Sequence, residues 1–255
     1  MDSHAASPSP LTLLKSGAAT QPIFMSHGLG GNISDLIPVA SHISTSRAIF
    51  GVSAPGADGT AGSFDSIEGL AAHYLDIIRS QQPHGPYYLI GYSLGGLAFF
   101  EMCRRLWDAG DKVPMLVMLE AYPHARSLSL RERMGQGLAC VKQRLAGQKR
   151  STDALQISVR GQADSASRRW PPELLEKAKE AWRRYRPAAY PGKVYFVKSA
   201  IKSGFAGDPQ AIWSKLAAEC HVVTVAGNHT SMVSQHFREL AAELSRCLEE
   251  AIQSE

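Results

Sequence analysis

The nineteen residues from Gly85 to Cys103, GPYYLIGYSLGGLAFFEMC, leave this chain little freedom in what it can build. Tyr87 to Tyr92 is a short apolar, aromatic-rich run with the makeup of a buried strand. From Leu97 onward long apolar side chains occur as they do on a helix, so only a very tight turn can separate the two. Ser93 stands in that turn, flanked by Gly91, Gly95 and Gly96. A nucleophile at a sharp strand-to-helix turn is forced into strained backbone geometry, and neighbours without side chains let strand and helix approach. The hydroxyl then projects above the sheet edge, beside the N–H groups and positive dipole end of a helix N-terminus. Taken alone, the pentapeptide serves equally well as a connection without chemistry. The flanking strand and helix, with candidate partners downstream in the order serine, acid, histidine, favour the nucleophile.

The rest of the chain alternates strands with helices, which predicts a parallel sheet with crossovers. Expected strands are Leu11 to Lys15, Gln21 to Ser26, Ala48 to Ser53, the unit above, Met115 to Leu119, Lys193 to Ser199 and His221 to Ala226. Expected helices run over about 34–43, from a cap at Asp65 and Glu68 to about Gln82, over about 209–218, and over 232–252. The run MLVML at 115–119 reads as a central strand buried on both faces. Residues 124–189 interrupt the alternation with basic, helix-prone pieces at 130–145 and 172–185 around a polar span at 151–167, and read as an inserted helical lid. Residues 1–10, rich in Ser, Pro and Ala, read as a disordered lead, and 11–255 as one domain.

Charge is unevenly shared. The formal net charge is +4, yet residues 124–186 hold fifteen Lys or Arg against six Asp or Glu. Such an excess is either a solvated helical face or a patch that attracts an acidic partner. No recognisable nucleic-acid motif accompanies it. Cys103, Cys140, Cys220 and Cys247 are scattered without a CxxC pair, which argues against a zinc site or a disulfide framework and fits a reducing compartment. No apolar run approaches the roughly 20 residues that span a bilayer. A soluble, cytoplasmic protein is the expectation.

With these pieces in order, the chain resembles the thioesterase domains that end nonribosomal peptide and polyketide synthases, within the α/β-hydrolase family. The resemblance runs from about Leu11 to the C-terminus and rests on IFMSHGLGG, SAPG, QQPHGPYYLIGYSLGG, VMLEAYP and VAGNHTSM. It implies a mostly parallel sheet of about seven strands flanked by helices, with an inserted helical lid. Ser93 is then the nucleophile. His229, in a loop directly after the last strand, is the base; His221 begins a strand, His73 and His236 fall within helices where packing roles are expected, and His27 reads as structural or peripheral. The family carries an aspartate after the MLVML strand, where this chain has Glu120. A glutamate can still hold the imidazole, and Asp208, after KVYFVKS, is the alternative acid, with helix capping as its plainer role. The oxyanion donors expected are the backbone N–H groups of Leu94 and Leu29.

The resemblance implies release of an acyl, polyketide or peptidyl chain from the phosphopantetheine arm of an acyl or peptidyl carrier protein. No cofactor, metal, nucleic acid or membrane is expected to take part. The alternatives are a stand-alone proofreading (type II) thioesterase, an acyl-CoA thioesterase, a carboxylesterase, or a non-catalytic module on a hydrolase scaffold.

Overall fold

A computed structural model describes residues 11–30, 33–56, 62–123, 170–201 and 207–254. The expected lead at 1–10 and the lid pieces at 130–145 and 151–167 lie outside the described residues. Seven strands form one sheet: β1 (Leu11–Lys15), β2 (Ala18–Ser26), β3 (Arg47–Val52), β4 (Tyr88–Tyr92), β5 (Met115–Leu119), β6 (Tyr190–Ser199) and β7 (Ala217–Val225). Their spatial order is β1-β3-β2-β4-β5-β6-β7. β1 pairs antiparallel with β3, and every other neighbouring pair is parallel.

Helices cover both faces. After a 3-10 turn at Ile33–Leu36 come α1 (Ile37–His42), α2 (Ile67–Gln81), α3 (Leu94–Asp108), α4 (Pro172–Arg184), α5 (Pro209–Trp213), α6 (Ser231–Ser234) and α7 (Phe237–Gln253). Successive strand residues point to opposite faces, so the central strands must be apolar throughout if both faces are covered. Leu89, Leu116 and Phe196 pack with Tyr74 of α2, Phe100 of α3, Ala178 of α4 and Trp213 of α5. Their neighbours Ile90, Val117 and Val197 pack on the other side with Val39 of α1, Met232 of α6 and Leu244 of α7. All five residues of β5 are buried, as the MLVML run predicts.

Several boundaries differ from expectation: β2, β6 and β7 start earlier, at Ala18, Tyr190 and Ala217, and three helix ends are set by other residues. The cap of α2 is Ser66, whose hydroxyl accepts the Gly69 N–H at 2.9 Å. Asp65 points instead to Lys177 of α4, 3.5 Å away, and ties the start of one helix to the other. The helix after β6 is short, because the chain must return at Leu216 to accept the Tyr190 N–H and begin β7 at Ala217. The C-terminal helix is two helices, since the N–H groups of both Gln235 and His236 close onto the Ser231 carbonyl and end the first before α7 starts. Among the described residues no helix is long and apolar enough to cross a membrane.

Tyr74, on α2, is fully buried edge-to-face against Phe99, and its hydroxyl has no hydrogen-bond partner among the described residues. Burial pushes that phenol far up from its ordinary value. An unpaired buried hydroxyl is a desolvation penalty without return. Tyr74→Phe is therefore expected to stabilise the fold by about 1 kcal/mol, a rise of about 2–4 °C in Tm by calorimetry; a fall would mean that the hydroxyl is satisfied.

Candidate active site

Strand β4 ends at Tyr92 and α3 begins at Leu94, which leaves a single residue, Ser93, to make the turn. Its backbone takes φ +54° and ψ −117°, in the left-handed half of conformational space that a residue with a Cβ enters only under strain. The surrounding contacts hold it there. The Ser93 N–H donates to the Leu119 carbonyl at 2.8 Å, continuing the β4–β5 ladder one step beyond the strand. A Cβ on Gly91 would stand 2.4 Å from the Gly96 Cα, and one on Gly96 would stand 2.6 Å from the Ala121 Cβ. These glycines are required by close approach, as the spacing around the serine predicts.

Glu120 leaves β5 at the equivalent level, also with a positive φ, +47°. Its N–H donates to the Val197 carbonyl at 2.9 Å, and its side chain is buried at the sheet rim. Oε1 accepts the Ser199 N–H at 2.8 Å, which fixes the carboxylate between β5 and β6. Oε2 lies 3.7 Å from Nδ1 of His229, an ion-pair separation for a protonated ring and longer than a hydrogen bond.

The loop that carries His229 is tightly bonded. Gly227 turns it with φ +88°, where a Cβ would meet the His236 ring and the Ser231 hydroxyl at 2.5 Å. The Asn228 side chain accepts the N–H groups of Thr230 and Ser231, and the Ser231 hydroxyl accepts the Asn228 N–H at 2.8 Å. Tyr92 reaches across from β4, donating its hydroxyl to the His229 carbonyl at 2.7 Å and stacking its ring on the imidazole.

The structure thus brings Glu120 and His229 together, with the residue beside Ser93 in direct contact with His229. Asp208 is used otherwise: it caps α5, accepting the Gln210 N–H at 3.2 Å, the plainer role considered for it. Its charge still acts on Tyr122, whose phenol is pushed far up by burial and then by Glu120 and Asp208.

On the other side of Ser93, Gly28 packs so closely that a Cβ there would lie 3.1 Å from the Ser93 Cβ and 3.0 Å from the Tyr92 ring. Leu29 follows it, and Leu94 opens α3; Gly31 and Asn32 lie outside the described residues. His27 holds this loop. Its Nε2 accepts the Ala54 N–H at 3.1 Å, so the proton belongs on Nδ1, which donates to the Gly28 carbonyl at 2.8 Å. Trp170, just before α4, sets its ring perpendicular to His27 at 5.4 Å. The sequence marks His27 only as structural or peripheral. Its clamp on two loops, the Ser199 amide and the contacts of Tyr92 carry no sequence signal, because each joins residues distant in the chain. Among the described residues no group of three or more His, Cys, Asp or Glu could hold a metal ion.

Burial lowers the pKa of His27 below its usual 6.5, against the smaller raising effect of its bond to Gly28. His73, in α2, is lowered for the same leading reason. Between the folded value and 6.5 the unfolded chain binds more protons, so stability is fully present above about 6.5 and falls as pH drops below it. Urea midpoints taken from pH 7.5 to 5.5 are expected to decline, and to decline less in His27→Gln, whose amide can make both bonds without titrating. An equal decline in the variant would assign the loss elsewhere.

Comparison with known proteins gives the family and the fold. Residues 21–248 match the family model described as thioesterase domain. Over 111 residues the chain is 35% identical to the dimodular nonribosomal peptide synthase of Bacillus subtilis (strain 168), covering 44% of this chain and 5% of that protein. The matched segments span 2% to 12% of the length of the first curated relatives. In fold it is similar to holo-AB3403, a four-domain nonribosomal peptide synthetase (TM-score 0.69, 21% identity, 94% of this chain and 20% of that one). It is also similar to the type II thioesterase BorB from the borrelidin biosynthetic cluster (TM-score 0.66, 18% identity, 95% and 98%). The parallel sheet and flanking helices are those of the α/β-hydrolase thioesterases, and with the family match extending over most of its length the chain belongs to the thioesterase domain family.

Proposed function

We propose that this domain releases an acyl, polyketide or peptidyl chain from a phosphopantetheinyl carrier protein, by way of an ester on Ser93. The observation that carries the reading is the strained serine at the β4–α3 turn, one residue from a tyrosine in contact with a histidine that faces a buried carboxylate. A hydroxyl is a poor nucleophile at neutral pH and needs an adjacent base. With Nδ1 of His229 turned to Glu120, the other ring nitrogen is the one left to take the Ser93 proton. The serine oxygen adds to the thioester carbonyl, and the oxyanion is held by the backbone N–H groups of Leu94 and Leu29. As the C–S bond breaks, the imidazolium returns the proton to the departing thiol. Water, or a hydroxyl or amine of the chain itself, then adds to the ester under the same base, giving a free acid or a ring and regenerating Ser93.

Glu120 is the acid in this reading. Its one extra methylene relative to aspartate is accommodated by the positive φ and by the Ser199 amide, which draw the carboxylate back towards the strand end. An acid at a distance of 3.7 Å from Nδ1 acts chiefly once the ring is charged, when the pair becomes an ion pair in a buried setting. Thiols that are free at Cys103, Cys220 and Cys247 are in keeping with a cytoplasmic enzyme. In this reading 11–255 is a single domain with a lid over 124–189, of which 170–189, with α4, are among the described residues.

Carrier docking would draw on the basic residues of the lid. Within α4 much of that charge is already paired, Arg184 with Glu180 at 2.7 Å and Lys179 with Glu176 at 2.6 Å. Most of the excess therefore lies in residues 124–169, where ten of the fifteen basic residues fall.

Intact-mass analysis with candidate acyl thioesters should give an acyl adduct on the wild type and none on Ser93→Ala; an adduct on both would overturn the nucleophile. Glu120→Gln is expected to lower kcat by about 10³–10⁴-fold, whereas Asp208→Asn should leave it within about threefold and remove about 1 kcal/mol of stability as a lost cap. The reverse ranking would make Asp208 the acid. Rates on a carrier-bound acyl thioester, the same acyl-CoA and a simple ester separate a release enzyme from the other thioesterases and from a carboxylesterase. Turnover of the carrier-bound form should also weaken as salt rises from 50 to 300 mM, roughly a halving of the Debye length; insensitivity to salt would remove the docking role of the lid.

A further inference from the structure

We propose that Tyr92 is the positioning residue of the site: it sets the plane and height of the His229 ring and shelters the charge that ring acquires. The inference rests on the roles proposed for Ser93 and His229 and goes beyond them, since the residue before the serine is free to be any strand residue in the pattern that marks the turn.

Three contacts meet on this one side chain. Its hydroxyl donates to the carbonyl of His229 itself at 2.7 Å, so the bond controls the backbone from which the imidazole hangs. Its ring lies over the imidazole with centroids 4.9 Å apart and planes inclined by 29°, close to an offset stack. Its edge fills the space above Gly28, where a Cβ would come within 3.0 Å of two ring carbons. Backbone continuity supplies the fourth link, because Ser93 follows directly. A rigid phenol thus spaces the nucleophile, the loop of the expected oxyanion donor and the base. The spacing has two fixed walls, since neither the Gly28 loop, clamped by His27, nor the Gly227–Ser231 loop, closed by its own bonds, is free to adjust.

The stacking has an electrostatic consequence. A ring face carries negative potential and favours a cation above it, so the Tyr92 ring helps to hold the positive charge that His229 takes up with the Ser93 proton. The charged and titratable groups around the pair are Glu120, at the end of β5 and 3.7 Å from Nδ1, Asp35 in the 3-10 turn, whose charge acts on the Tyr92 phenol, and His236, behind the loop against Gly227. Burial, then Glu120 and Asp35, hold that phenol far above its ordinary range, so it remains a hydrogen-bond donor throughout the working pH range.

The two contributions separate by substitution. Tyr92→Phe keeps the stack and removes the bond to the His229 carbonyl; Tyr92→Leu removes both. The readout is Ser93 labelling by a fluorophosphonate as a function of reagent concentration, which separates the maximal labelling rate from the reagent's apparent affinity, with Tyr88→Phe, on the same strand, as control. Tyr92→Phe is expected to lower the maximal rate about tenfold with the affinity unchanged. Tyr92→Leu should lower the maximal rate further, because the imidazole has lost both its bond and its stacked partner. The control should match the wild type. A wild-type maximal rate in Tyr92→Phe would overturn the proposal, as would a folded Tyr92→Leu no slower than Tyr92→Phe. If Tyr92→Leu does not fold by circular dichroism, the Phe variant alone decides. Failure of the underlying reading looks different, since the wild type itself would then remain unlabelled at Ser93.

Discussion

Everything at this site depends on how closely the end of β4 and the start of α3 can approach. Gly91 and Gly96 are near enough that either Cβ would collide with backbone or with Ala121, and that closeness leaves Ser93 a single residue in which to reverse the chain. A residue held at φ +54° carries strain of about 1–3 kcal/mol. The fold sustains it because the alternatives are worse: relaxing the turn would break the Ser93 bond to Leu119 and push α3 off a sheet whose both faces are buried.

The same logic repeats one strand over. Tyr92 pairs with Leu119 in register, so Ser93 and Glu120 leave the sheet at the same level, and both do so with positive φ. Two strained residues side by side at the rim of a parallel sheet are hard to explain as packing, since any glycine would be more comfortable there. Under the proposed function both positions serve His229, Ser93 as nucleophile and Glu120 as acid. At Glu120 the Ser199 amide pins one carboxylate oxygen and leaves the other 3.7 Å from Nδ1 of His229.

Helix α4 adds a connection from above. Trp182 donates its indole N–H to the Tyr122 carbonyl at 2.9 Å, two residues beyond Glu120, while Lys177 reaches Asp65 and Ser63 ahead of α2. Helix α4 is therefore fastened both to the strand end that carries Glu120 and to the front of α2. Its buried stripe of Leu174, Ala178, Ala181 and Tyr185 joins the core on the α2–α3 face, so it packs as an integral layer of the domain.

Much of this was legible in the amino-acid order. The seven strands, the buried run at 115–119, the turn serine, and Glu120 and His229 as strand-end residues all follow from periodicity, glycine spacing and position, because those signals are local. Helix ends depart from the local signal where a tertiary demand overrides it, as at Leu216, which accepts a bond from Tyr190, and at Asp65, which faces Lys177. Between the two carboxylates the sequence favours Glu120 and keeps Asp208 as the alternative. Only the folded chain sets one carboxylate against His229 and the other on a helix end, and only there do Tyr92, His27 and Ser199 acquire their contacts. The physical reason is range: covalent neighbours impose strand, turn and helix, whereas a bond of 3 Å between residues a hundred positions apart exists only after the sheet has chosen its order and register.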